Sequence, residues 1–295
     1  GGARHGRARA QPQVEPDDGD VVVGVELGED ERLLAHREEP HRTCGGRLLE
    51  RGFQVVDRAD PQQAATLARA LAQMLAAAPH LDLPPIKAII APHAGYIYSG
   101  PIAASIYAPI AVLRGSIRRV VLLGPTHRVF VEGLAVPTCA TFSTPLGKVA
   151  LDREGIARIT DLPQVVVSDE AHAQEHSLEV QLPFLQTVLG DFLLLPLAVG
   201  EASVEDVAEV LKRLWGGDET LIVVSSDLSH YLNYDAACRS DSRAARQIVD
   251  LDPSLNHQQA CGATPVNGLL LAARKHKLQG KLLDLRNSGD TAGDR

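Results

Sequence analysis

The sequence predicts a single α/β domain built on a mainly parallel sheet between layers of helices. Three observations lead there. Apolar runs of strand length recur along the chain, helical patterns alternate with them, and the runs are continuous in Val, Ile and Leu, which marks strands covered on both faces. At 295 residues and 45% hydrophobic content, the chain is long enough to bury one large core.

The elements follow in order. Residues 1–50 are rich in Gly, Arg and acidic residues, and only VVVGVEL (21–27) has strand character. This stretch is expected to be a poorly ordered, divergent extension, with the ordered domain occupying 51–295. Asp60-Pro61 supplies an N-cap and a first-turn proline for the helical pattern AATLARALAQMLAAA. IKAIIAP (86–92) reads as a strand, a helix follows Gly100, and RRVVLLGP (118–125) is the next strand. GLAVP and GKVALD are shorter strand pieces, HSLEVQLPFLQTVL is helical, and LLLPLAV (193–199) is a buried strand. An amphipathic helix at SVEDVAEVLKRLWG, the strand TLIVVSS (220–226), helices over 235–250 and from Pro265 onward, and KLLDLRN complete the pattern.

Bulk properties exclude several classes. A formal net charge of -8 argues against a non-specific grip on nucleic acid, which needs basic surface. No stretch reads as roughly 20 consecutive apolar residues, so no membrane span is expected. The Arg-rich start lacks a following apolar region and does not read as a secretory signal. The four cysteines, Cys44, Cys139, Cys238 and Cys261, lie far apart without a C-x-x-C, which suits a reducing cytoplasm. There is no G-x-x-x-x-G-K-[ST] and no G-x-G-x-x-G, so nucleotide binding has no support.

The chemistry gathers at strand ends. In open α/β sheets ligands sit beyond the carboxyl ends of the strands. His93 follows IKAIIAP, His127 follows RRVVLLGP, and His230 follows TLIVVSSDLS. Three histidines after three different core strands point to a shared site, with His93 and His127 as metal ligands and His230 as ligand or acid/base. Cys261, in HQQACGATPVNG, precedes Thr264-Pro265, read as an N-cap and first helical turn. A helix dipole there would favour its thiolate, although a free cysteine is also commonly a small buried hydrophobe. Cys44, Cys139 and Cys238 have no such surroundings.

DEAHAQEHSLEVQLPFL (169–185) is the densest ionisable cluster. Glu175 and His176 open a helix, and Glu179 shares the face of Glu175. They suit a network orienting the real ligands better than a metal site of their own. Asp227 could hold an imidazole in one tautomer in the same way. Tyr96 and Tyr98, close to His93, either line a pocket or pack in the core.

The motifs APHAGYIYSG, LLGPTHRVF, EAHAQEHSLEVQLPFLQ, SSDLSHY and CGATPVNG occur in this order. Together they resemble the Memo family, and more narrowly its prokaryotic branch, AmmeMemoRadiSam system protein B, over about residues 60 to 290. The resemblance implies a fold like the LigB-type extradiol dioxygenases, a three-layer α/β/α sandwich. It also implies an iron or copper ion between two histidines and a cysteine with another histidine alongside, which fall on His93, His127, Cys261 and His230. An AMMECR-type protein and a radical SAM protein are the partners it implies. Residues 1–50 match nothing in the family, and the chain is expected to lack the family's closing C-terminal strand.

Two function classes follow: a metal-dependent oxidoreductase, dioxygenase-like, or a metal-binding accessory protein without turnover. A two-histidine, one-thiolate set is softer than a carboxylate one and admits copper(I), zinc or iron(II). Zinc hydrolysis with His230 as base ranks last.

Overall fold

The run Ile86–Ala91, apolar except for Lys87, forms a strand in which every residue is buried, and Thr220–Ser225 does the same. Side chains of a strand alternate between faces, so such a run must be covered on both sides. This computed structural model describes residues 20–26 and 61–291, and the first of these segments at the level of its backbone.

In chain order the strands are β1 (Asp20–Glu26), β2 (Ile86–Ala91), β3 (Arg119–Pro125), β4 (Leu134–Val136), β5 (Thr141–Thr144), β6 (Gly147–Ala150), β7 (Val165–Val167), β8 (Leu193–Val199), β9 (Thr220–Ser225) and β10 (Gly280–Arg286). Eight of them make one sheet in the order β10-β1-β2-β9-β3-β8-β4-β7. From β10 to β8 all pairs are parallel; β4 turns antiparallel to β8 and carries β7 parallel to itself. β5 and β6 form a separate hairpin.

The helices are α1 (Pro61–Ala77), α2 (Tyr96–Ile110), α3 (Arg153–Ala157), α4 (Glu170–Ala173), α5 (His176–Glu179), α6 (Gln181–Leu189), α7 (Val204–Leu214), α8 (Tyr234–Val249), α9 (Ala263–Lys275) and α10 (Ser288–Thr291). Two hydrophobic clusters lie on opposite sides of the sheet. Ile89, Val120, Leu122 and Val223 face α1, α2 and α6, while Ile90, Val121, Leu123 and Val224 face α7, α8 and α9. The period-two alternation along each strand thus separates the clusters, and the fold is a three-layer α/β/α sandwich with a mainly parallel central sheet.

Several local expectations change. VVVGVEL becomes β1, hydrogen-bonded between β10 and β2, so part of the N-terminal stretch belongs to the sheet; the rest of residues 1–50, with Cys44, lies outside the described residues. KLLDLRN becomes β10, the sheet's edge. The helix expected after Gly100 starts at Tyr96 and carries Pro101 and Pro109 inside it. The last long helix starts at Ala263 with Gly262 as N-cap, not at Thr264-Pro265. Pro265 then sits in the first turn, where its missing N–H breaks no intrahelical bond.

The expectation that no segment matches a membrane span also needs correcting. Tyr96–Leu113 is long and apolar enough by length and composition. The Ser, Gly and Pro residues scattered through it hide that from a reading of continuous apolar runs. Ile102, Ala103, Ala104, Ile106, Tyr107 and Ile110 are buried in the core, packed beneath α1 and against the sheet.

Candidate metal centre

β2, β9 and β3 are neighbours in the sheet and parallel, so their carboxyl ends emerge side by side. His93 leaves β2, His127 leaves β3, and Asp227 and His230 leave β9. Parallel strands lie about 4.8 Å apart, so three consecutive ends bring their loops within ligand reach of one another. The ring centroids of His93 and His127 are 5.3 Å apart, and His176 lies 5.5 Å from His93 and 4.9 Å from His127.

Cys261 reaches this cluster from the loop before α9. Its backbone N–H donates to the Asp227 carbonyl at 3.2 Å, and the Asp227 N–H donates to its Sγ at 3.3 Å. Gly262 makes this approach feasible: a Cβ there would stand 2.7 Å from Ser226 Cβ and 2.9 Å from the Ser225 carbonyl oxygen. Gly124 has the same role at β3, where a Cβ would stand 2.7 Å from Ser177 Oγ and force α5 away.

Asp227 ties two of the loops together. Its Oδ1 accepts the backbone N–H groups of His93 at 2.6 Å and Ala94 at 3.3 Å, and its Oδ2 lies 3.6 Å from His93 Nε2. Burial pushes its carboxyl up, opposed by His230 and by the hydrogen bond from His93.

Hydrogen bonds fix the tautomers of both imidazoles. Ser225 Oγ donates to the Ser177 carbonyl at 2.6 Å and accepts from Gln181 Nε2 at 2.8 Å. Its hydroxyl proton is therefore committed, and the 2.9 Å contact with His93 Nδ1 must be donated by the ring. His93 Nε2 then carries the lone pair. Gln181 is held in turn by Tyr107, whose hydroxyl donates to its Oε1 at 2.7 Å. For His127, Nδ1 donates to Glu175 Oε1 at 2.8 Å, so that in the neutral ring the lone pair is on Nε2. A carboxylate behind a metal-facing imidazole is a common way to set its orientation and basicity.

The electrostatics favour the neutral form of His93 and of His176. Burial lowers His93 well below the usual histidine range, and the neighbouring His176 and His127 lower it further. Burial and His127 lower His176 as well. Burial alone would raise Glu175, but the hydrogen bond from the His127 ring, the charge of that ring and the N–H groups of His127 and Ser177 bring it down to about 2. Glu175 is thus an anion with its oxygens committed to donors.

Cys261 departs from expectation. Burial, then the charge of Asp227, push its thiol far above its ordinary value, so the start of α9 does not by itself yield a thiolate.

Three groups of donor atoms lie within 4.8 Å of one another: His93, His127 and Cys261; His127, Glu175 and His176; and Asp227, His230 and Cys261. The first suits a metal best. Two imidazole nitrogens and one sulfur converge there, while the second set depends on a carboxylate already bound by three donors. Each donor set could hold an ion, and none of them selects which one.

The chain belongs to the Memo family. The family described as Memo-like protein matches residues 56–295. A MEMO1 family protein of Ignicoccus hospitalis is 37% identical over 221 residues, spanning 69% of this chain and 76% of that relative. MEMO1 family protein MK0963 of Methanopyrus kandleri is 36% identical over 230 residues, with 71% and 79% covered. One of Aquifex aeolicus is 36% identical over 220 residues, with 70% and 81% covered.

The remaining residues named from sequence in this Memo protein fall as follows. His230 is half-buried beside Asp227 and Cys261, and Tyr231, immediately after it, adopts φ 60°, a left-handed conformation that costs an aromatic residue energy. Tyr96 is in the core: its hydroxyl donates to the Val180 carbonyl at 2.6 Å and its ring meets Phe184 edge-on. Tyr98 is half-buried and, like Tyr96, does not line the cavity beside His127 and Cys261. Glu179 lies outside the donor sets. Cys139 and Cys238 are free thiols elsewhere.

Sequence reasoning missed Ser225 and Gln181 as the pair that sets the His93 tautomer. A signal existed for Gln181, a lone amide in the apolar run LEVQLPFL. It also missed Arg128 and His257, which line a cavity of about 520 Å³ together with His127 and Cys261.

Proposed function

We propose that this Memo protein is a metal-dependent oxidoreductase that holds one iron or copper ion through His93, His127 and Cys261. The convergence of their donor atoms within 4.8 Å carries the reading, supported by the two tautomers that turn Nε2 lone pairs to the donor side. When bound, such an ion supplies one-electron chemistry that protein side chains lack.

The chain's own residues do the rest. Glu175 holds the His127 ring by its Nδ1–H, and Ser225 does the same for His93. Burial keeps His93 neutral and therefore ready to donate a lone pair. Cys261 must give up its proton on loading, because burial and Asp227 keep it protonated beforehand. His230, next to Asp227, is assigned the movement of protons at the reacting ligand. An AMMECR-type protein and a radical SAM protein are its proposed partners, on the strength of the motif resemblance.

Anaerobic loading with iron(II) or copper(I), followed by metal analysis of the desalted protein, tests the site. We expect about one equivalent in the wild type and a large loss in His93→Ala and His127→Ala with the circular dichroism unchanged. Full occupancy in either variant removes that residue from the ligand set. His230→Ala should keep its metal yet lose oxygen uptake with an oxidisable substrate by about 100-fold or more. A loaded wild type that consumes no oxygen with any oxidisable substrate favours an accessory, metal-carrying role.

A further inference from the structure

The cavity beside the donors has a chemistry of its own. It is lined by His127 and Cys261 of the donor set together with Arg128, His257, Thr264 and Glu201. Its volume of about 520 Å³ lies within the range of sites for small organic molecules. Val131 and Val199, both buried, and Ala202 give it an apolar wall, and Phe130, strongly exposed, stands at the same cavity.

Its polar groups are not equivalent. His257 Nδ1 contacts the Cys261 carbonyl at 3.2 Å; a carbonyl only accepts, so the ring donates from Nδ1. Nε2 is then an acceptor, and the 3.2 Å contact with Thr264 Oγ1 must be donated by the hydroxyl. Thr264 therefore has only lone pairs left for a ligand, and repels an anion. Glu201 repels one as well. Arg128 is the opposite case: it borders the cavity and, among the described residues, has neither an ion-pair nor a hydrogen-bond partner. Five donors in a planar fork match a carboxylate.

We propose that Arg128 is the anion-recognising residue of this cavity, and that the ligand is an organic monocarboxylate with an apolar body. The carboxylate lies between Arg128 and the ligand set, the apolar body lies along Val131, Val199 and Ala202, and Glu201 and Thr264 discriminate against a second negative charge. The placement of the carboxylate toward the ligand set rests on the metal reading above; the role of Arg128 does not.

Titration calorimetry with phenylacetate on zinc-loaded and metal-free protein tests this, with phenylacetamide as neutral counterpart and inorganic phosphate as an anion without an apolar body. Phenylacetate should bind the wild type saturably. Arg128→Met should weaken it at least about tenfold, as expected for a lost charge-assisted pair, with unchanged zinc content. Arg128→Lys should fall between, since it keeps the charge but not the fork. Equal affinity in wild type and Arg128→Met, or no saturable binding to the wild type, overturns the proposal. Phosphate or phenylacetamide binding as tightly as phenylacetate overturns the ligand class. A protein that takes up neither zinc, iron(II) nor copper(I), yet binds phenylacetate in an Arg128-dependent way, refutes the metal reading and supports Arg128.

Discussion

The Sγ of Cys261 stands 3.3 Å from Nε2 of His93, across 168 positions of sequence. With Nδ1 of His93 committed as donor to Ser225, Nε2 offers a lone pair to the thiol, whose other acceptor is the Asp227 carbonyl at 3.6 Å. Sulfur and nitrogen thus stand with one thiol proton within reach of both. A cation bound between them takes the place of that proton, and both partners become ligands at once.

The first prediction follows from that exchange. Burial and Asp227 keep Cys261 protonated at neutral pH, while burial and neighbouring histidines keep His93 neutral. Loading therefore releases one proton, from sulfur, and apparent metal affinity should rise about tenfold per pH unit around neutrality. Competition against a chromophoric chelator at several pH values reads this slope. A flat profile would mean that the thiol is not a ligand.

Cys261→Ser tests the softness of the site. A sulfur donor favours copper(I) or zinc over magnesium or manganese, and serine removes that bias. We expect the wild type to discriminate strongly and the variant weakly, measured by competitive loading. Unchanged selectivity would make Cys261 a buried hydrophobe and direct the search for a third ligand to Asp227.

Glu175→Gln keeps the shape but not the charge behind His127. Nδ1 loses its carboxylate acceptor and the ring loses both orientation and basicity. Metal affinity should fall by about 10- to 100-fold with the fold intact, the usual effect of removing such a partner. A wild-type affinity in this variant would mean that Glu175 serves only to cap α5 through Ser177.

Glu179 sets a pH dependence of stability. Burial lifts its carboxyl from 4.5 to about 8, and its Oε1 has no hydrogen-bond partner among the described residues. The folded state therefore prefers the protonated acid. The stability it contributes is complete below pH 4.5 and is lost as pH rises through 8. Glu179→Gln should gain on the wild type across that window, by up to about 1.4 kcal/mol per pH unit. Denaturant unfolding of both proteins from acid to mildly alkaline pH is the measurement, and parallel stability curves would refute the burial argument.

The layered α/β architecture was legible in the sequence because a strand covered on both faces must be largely apolar, and β2, β3, β8 and β9 are, with polar residues only at the ends of β3 and β9 and at Lys87 of β2, whose Nζ donates to the Gly217 and Thr220 carbonyls. His93 and His127 were legible for a related reason, since a polar residue that ends such a run stands at the mouth of the sheet. The order of the strands was not. Nothing local says that β9 lies between β2 and β3, and that adjacency alone brings Asp227 to the backbone of His93. The chain also conceals who holds whom: Ser225 and Gln181 set a tautomer only because β9 and α6 meet there, and Tyr96 looks like a pocket residue until α6 packs over its ring. The proton on Cys261 was misjudged for the same cause. That a helix starts near Cys261 can be read from sequence, though not its capping residue, but burial and the nearness of Asp227 exist only once the loops are assembled, and in a desolvated site they outweigh the dipole. Residue type and local pattern thus determined which side chains stand at the strand ends, and long-range packing decided their partners, protonation and access to the cavity.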